Sequence, residues 1–130
     1  MHLEFVRLSL HVLAATIWVG GQLVLAALVP TLRGVSPLAP QAAARAYARI
    51  AWPAFGVLVI TGIWNAWAVR SELHGSQELI FVGKVAAVLL SGVSAWLHGH
   101  ATQARARATS GAATGLFALA ALLLGIQLTL

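Results

Sequence analysis

Four long, mainly apolar runs constrain this chain more than anything else in it: Phe5–Val29, Ile50–Val69, Leu79–His98 and Ala112–Leu130. Each is close to the ~20 residues with which an α-helix crosses ~30 Å of hydrocarbon. Backbone N–H and C=O groups find no water there, so a span must close its own hydrogen bonds as a helix. The expected fold is therefore all-α, an integral membrane four-helix up-down-up-down bundle forming a single transmembrane domain over residues 1–130. Composition agrees, since 60% of the 130 residues are hydrophobic and only 8% are charged, against about a quarter charged in a soluble domain. The first run reads as a span rather than a signal peptide, because it is too long and Glu4 interrupts its basic flank.

Charge and punctuation set the topology. The net charge of +5 comes mainly from arginines in the short segments between the runs, which reads as a topology signal, with a lipid bilayer and not nucleic acid as the partner. Segments Thr31–Arg49 and Gly99–Gly111 hold Arg33, Arg45, Arg49, Arg105 and Arg107, whereas the side of the termini has only Arg7 and Arg70 outside the spans. Positive-inside then predicts a multi-pass protein of a bacterial-type inner (plasma) membrane with both termini outside. Pro30, Pro37 and Pro40 are expected to end the first helix, and QAAARAYARIAW to extend the second into the cytoplasm, with a kink at Pro53. Gly75 breaks the outer turn, Ser76 is the expected N-cap of helix 3, Gly99 closes that helix, and ATQARARATSG reads as a polar connector. Trp52 and Trp96 suit one interfacial belt, and Trp64 and Trp67 the other.

Polar residues inside the runs mark the candidate site, because an ionisable group in a span is expensive. His11, Ala15, Trp18 and Gln22 fall on one helical stripe, with Gly20 and Gly21 baring the backbone beside it. Lys84, Ser91 and His98 share a second stripe, and Thr61 and Asn65 a third. In the antiparallel arrangement His11 lies about 9 Å from the outer end of its helix and Lys84 at a matching depth. Asn65 and Gln127 join them, so that one polar group from each helix is expected in one layer. Such stripes also serve as glue between helices. The spans contain no Asp or Glu, so Lys84 either snorkels to the surface or meets a ligand carrying negative charge. Haem answers both needs, with the His11 imidazole as axial ligand and the propionates as the anion. The candidate cofactor-binding set is thus His11, Trp18, Gln22, Asn65, Lys84 and Gln127. His74, on the side of His11, and His98 and His100, at the opposite interface, are further candidate metal ligands.

The runs LHVLAATIWVGGQL, ARIAWPAFGVLVITGIWNAW and ELIFVGKVAAVLLSGVSAWLHG resemble the membrane domain of the copper-resistance protein D family. The shared pattern is a His ahead of Trp-x-Gly-Gly, a Thr-Gly on helix 2 and a Gly-Lys on helix 3, covering three of the four helices. The resemblance implies copper handling at His11. The chain is also similar to the small four-helix protoporphyrinogen oxidases of bacteria, which implies haem b bound through the helix 1 histidine. It departs from them after the first-helix glycines, where QLVLAALVP replaces a tyrosine- and proline-containing segment.

No Ser-His-Asp set, paired carboxylate or phosphate loop supports hydrolase or nucleotide chemistry, and no catalytic residue is assigned. The chain has no cysteine, and its only methionine is the initiator, which disfavours a Cu(I) relay but leaves histidine for Cu(II). The expected function is b-type haem binding for electron transfer or small-gas redox chemistry, whose enzymatic form would be a haem-dependent oxidoreductase. A membrane or periplasmic redox partner and a homo-oligomer are the associations this reading allows. Copper binding or transport through the same His11 layer is the alternative, and a structural subunit of a larger membrane complex is the third.

Overall fold

The computed structural model describes residues 2–71 and 74–129; Leu130, the expected end of the fourth span, lies outside them. Among the described residues there are four long helices and no strand: α1 (His2–Val35), α2 (Ala39–Val69), α3 (Ser76–His100) and α4 (Ala104–Gln127). All four are long and apolar enough to cross a membrane, and even the shortest, 24 residues, reaches about 36 Å at 1.5 Å per residue. The chain is an all-α, multi-pass membrane protein.

The helices overrun the apolar segments that announced them. Pro30 does not end α1, which continues to Val35 and stops where Ser36 turns extended. A proline removes one N–H from the ladder, and a long apolar helix tolerates the loss. Pro53 likewise lies inside a continuous α2. The supposed connector ATQARARATSG is helical from Ala104, because Ala and Arg are strong helix formers and nothing between them breaks the turn. Arg107 donates to the Ala101 carbonyl at 3.0 Å and so caps the end of α3. That end falls at His100, one residue beyond the predicted Gly99. Ser76 is already helical, and the cap position belongs to Gly75 at φ 60°, a left-handed conformation that favours glycine.

Contacts divide the chain into two compact units, residues 1–70 and 71–130. Each is an antiparallel helical hairpin, α1 with α2 and α3 with α4.

In the first hairpin α1 is regular except for one π turn, Thr16–Gly20. A π turn adds a residue to the helix and disturbs the i→i+4 ladder. Tyr47 of α2 compensates across the interface: its hydroxyl donates to the Trp18 carbonyl at 2.8 Å and to that of Ile17 at 3.0 Å. The ring can lie this close only because residue 21 is glycine, where a Cβ would sit 2.8 Å from the Tyr47 Cζ and 2.9 Å from its hydroxyl oxygen. Beside the π turn Trp18, only 3% exposed, packs on Phe55 at 4.4 Å between centroids and on the edge of Trp52 at 5.6 Å. Trp52, expected from the sequence in an interfacial belt, is thus a packing partner of α1.

The second hairpin is held by small residues. Along α4, Gly111, Thr114, Ala118, Ala121 and Gly125 recur every three or four positions, and Thr114, Ala118 and Ala121 are buried. Ala87, Ser91 and Gly92 are their buried counterparts on α3. The Ser91 hydroxyl, on a residue 1% exposed, donates to the Thr114 carbonyl at 3.0 Å. Close backbone approach of this kind replaces the hydrophobic driving force that lipid cannot supply.

The two neighbouring glycines of α1 should respond differently to substitution. Gly20→Ala meets nothing within 4 Å and should be neutral or slightly stabilising through helix propensity. Gly21→Ala drives a methyl into Tyr47 and should destabilise by about 1–3 kcal/mol. Tyr47→Phe should cost about 0.5–1.5 kcal/mol through the lost hydrogen bond. Thermal or denaturant unfolding in detergent micelles would rank the three, and equal effects at Gly20 and Gly21 would contradict the Tyr47 contact.

Candidate functional site

His11 sits five residues before the start of the π turn, half-buried on the face that α1 turns to α2. Its Nδ1 lies 2.8 Å from the Thr61 hydroxyl oxygen. Thr61 uses its single hydroxyl proton on its own helix, donating to Val57 O at 2.7 Å with Leu58 O at 3.2 Å. With that proton kept on α2, the oxygen accepts from His11, which puts the ring proton on Nδ1 and the lone pair on Nε2. Gly62 follows Thr61, and a Cβ there would be 3.5 Å from the His11 Cε1. The Thr-Gly pair thus fixes the ring by a hydrogen bond from one residue and leaves it room at the next. An imidazole whose Nδ1–H is held by a protein oxygen is oriented for ligation through Nε2.

The same hairpin register places the remaining polar groups. Asn65 lies one turn from Thr61 on α2, and its Oδ1 is buried without a hydrogen-bond partner. Arg7 lies one turn from His11 on α1, is 8% exposed, and has an equally unpartnered Nε. Trp18 and Gln22 continue the His11 stripe inward, as the periodicity predicts. Trp18 belongs to the aromatic cluster with Phe55 and Trp52. The Gln22 side chain lies beside the Tyr47 hydroxyl and interacts with it.

In the second hairpin the predicted polar stripe of α3 faces α4 along its whole length. Lys84 lies over Gly125, where a Cβ would be 3.1 Å from Nζ. Ser91 reaches the Thr114 carbonyl. His98 lies over Gly111, where a Cβ would be 2.9 Å from Nδ1, and that nitrogen donates to the Arg107 carbonyl at 2.8 Å. Among the described residues Lys84 has no hydrogen-bond or ion-pair partner. Gln127, the last residue of α4, is exposed. His100 donates from Nδ1 to the Trp96 carbonyl of its own helix at 2.8 Å and stacks on that indole at 4.4 Å. His74 stands exposed in the turn between the hairpins. Among the described residues no three of His, Cys, Asp and Glu gather into a metal-holding group.

Two residues and one small-residue stripe central to this geometry escaped the sequence reading. Arg7 reads as a topology marker near a terminus, but its i−4 spacing from His11 is visible in the sequence. Tyr47 reads as part of a cytoplasmic extension, and no sequence signal announces a π turn. The small-residue stripe of α4 reads as apolar bulk, although its three- and four-residue spacing is explicit. No family model, curated protein or solved structure matches the chain.

The tautomer deduced for His11 is directly measurable. Nitrogen-15 NMR of ring-labelled protein, with the His11 signals identified by their loss in His11→Ala, should show that ring protonated at Nδ1, as His98 and His100 also are. Thr61→Val removes the acceptor while keeping the side-chain shape, and should return that ring to a mixture of tautomers. A ring already mixed in the wild type would remove Thr61 as its anchor.

Proposed function

We propose that this protein binds b-type haem through His11 and uses it in electron transfer or small-gas redox chemistry. The observation that carries the proposal is the His11–Thr61 hydrogen bond, which orients the imidazole and assigns its lone pair to Nε2. The donor set favours haem over a bare ion. A copper or zinc ion held by protein side chains alone asks for several donors around one point, and among the described residues no three such side chains gather. Haem brings four nitrogens of its own and asks the protein for one or two axial ligands. When bound, it supplies one-electron redox chemistry at its iron.

The chain's own residues have distinct parts in this reading. His11 supplies the axial nitrogen, Thr61 holds the ring in the ligating tautomer, and Gly62 leaves it space. Asn65, one turn away, offers a buried carbonyl oxygen to a ligand group. His98 carries the same signature in the other hairpin, an Nδ1–H on a carbonyl and a glycine beneath the ring, and is the candidate for a second centre. The resemblance to the copper-resistance protein D family makes copper at His11 the competing occupant. The arginine bias supports an orientation with both termini outside a bacterial inner membrane.

Two experiments test these statements. The purified protein, reconstituted with haem, should show a Soret band and sharpened visible bands on reduction, and His11→Ala should lose them while keeping its helical circular dichroism. A colourless protein that takes up Cu(II) at His11 would replace haem by copper. For sidedness, a reporter that is active only outside the cytoplasm should be active when fused after residue 130, and a silent fusion would invert the orientation.

A further inference from the structure

Arg7 is the most costly group in the first hairpin that the site as described so far does not use. It is only 8% exposed, and its Nε is buried without a hydrogen-bond partner. The one carboxylate in residues 1–70 is Glu4, which is exposed, and Arg7 forms no ion pair with it or with any other described residue. A guanidinium is charged at any relevant pH, so neutralisation by proton loss is not open to it. A buried, unpaired cation in a membrane helix marks a place for an anion.

Its position says which anion. Arg7 and His11 are four residues apart on regular α-helix, hence on one face and about 6 Å apart along the axis. The His11–Thr61 contact sets the register of the hairpin, and that register brings Arg7 level with Asn65, whose Oδ1 is also buried and unpartnered. Arg7 lies on the side of His11 toward the chain terminus, and the aromatic cluster around Trp18 lies on the other. A ligand fixed at His11 therefore meets an apolar, aromatic wall in one direction and an unneutralised guanidinium in the other. We infer that Arg7 receives the carboxylate edge of the ligand bound at His11, as a salt-bridged, hydrogen-bonded partner of a haem propionate. This rests on the haem reading and deepens it: Arg7 decides that the porphyrin enters with its acidic edge toward the membrane surface. The fork of N–H donors matches a carboxylate in two-point contact, and the register puts Asn65 at the same level of the hairpin.

The test compares two porphyrins on the full-length protein in detergent. Protohaem and its dimethyl ester share the iron and ring and differ only in the two carboxylates. Wild-type protein should bind protohaem on the order of a hundredfold more tightly than the ester, the range for removing one partner of a buried charge pair. Arg7→Met should abolish that preference, and Arg7→Lys should restore part of it, while the reduced spectrum of bound haem stays that of a His11-ligated iron. If wild type binds acid and ester equally with that spectrum intact, the inference fails and the haem reading stands, with Arg7 facing lipid headgroups. If Arg7→Met loses affinity for both forms in equal proportion, Arg7 is a structural partner of Asn65 and the inference also fails. If wild type binds neither porphyrin, the haem reading falls and the propionate contact with it.

Discussion

Close contact between helices through small residues is the interaction on which both hairpins depend. Lipid tails are as apolar as leucine, so apolar surface alone does not drive these helices together. Dispersion over many close contacts and hydrogen bonds between helices must do so instead. In the second hairpin the stripe from Gly111 to Gly125 lets α3 approach, and the Ser91–Thr114 bond then forms at 3.0 Å. In the first, Gly21 admits the ring of Tyr47 and Gly62 stands under His11. The large side chains Phe5, Ile60, Ile63, Leu116 and Leu123 remain exposed, as a lipid-facing surface requires.

That same close approach governs the polar chemistry. Three polar side chains in the spans lie over a glycine of the opposite helix: His11 over Gly62, Lys84 over Gly125 and His98 over Gly111. A glycine in that place offers backbone instead of a side chain, so a ring or an ammonium stem can enter the interface without separating the helices. Where the incoming group has a proton to give, it finds an oxygen nearby. For His11 that oxygen belongs to Thr61, for His98 to Arg107, and for Tyr47 to the π turn of α1. Satisfaction inside the interface matters because the surrounding hydrocarbon offers no partner. Arg7 Nε and Asn65 Oδ1 are buried without such a partner.

Much of the site was legible beforehand, and the unread part has physical causes. The stripe Lys84–Ser91–His98 was visible as a seven-residue spacing, and all three residues do face one partner helix. Thr61 and His11 were each placed on an inward stripe, but their bond depends on the register of one helix against another, which no periodicity within a single helix contains. Pro30 misled because its rule, loss of one N–H, is a local penalty that a long apolar helix absorbs. Gly20 and Gly21 looked equivalent in the sequence, yet only Gly21 lies beneath Tyr47.

The sequence by itself determined the class: four apolar runs of spanning length, bare of acids, can be satisfied in a bilayer only as helices. It also determined which face of each helix carries polarity, because spacing along one helix is a local property. Only the tertiary structure decided what those faces meet. That Arg7 is buried is a fact of packing, which its place near a chain terminus does not announce. So is the Nδ1 proton of His11, which is assigned by a hydroxyl fifty residues away along the chain. The π turn of α1 is likewise paired with a tyrosine of α2, twenty-nine residues from the carbonyl it serves. These are long-range contacts between side chains and backbone, and their geometry exists only once the helices have packed.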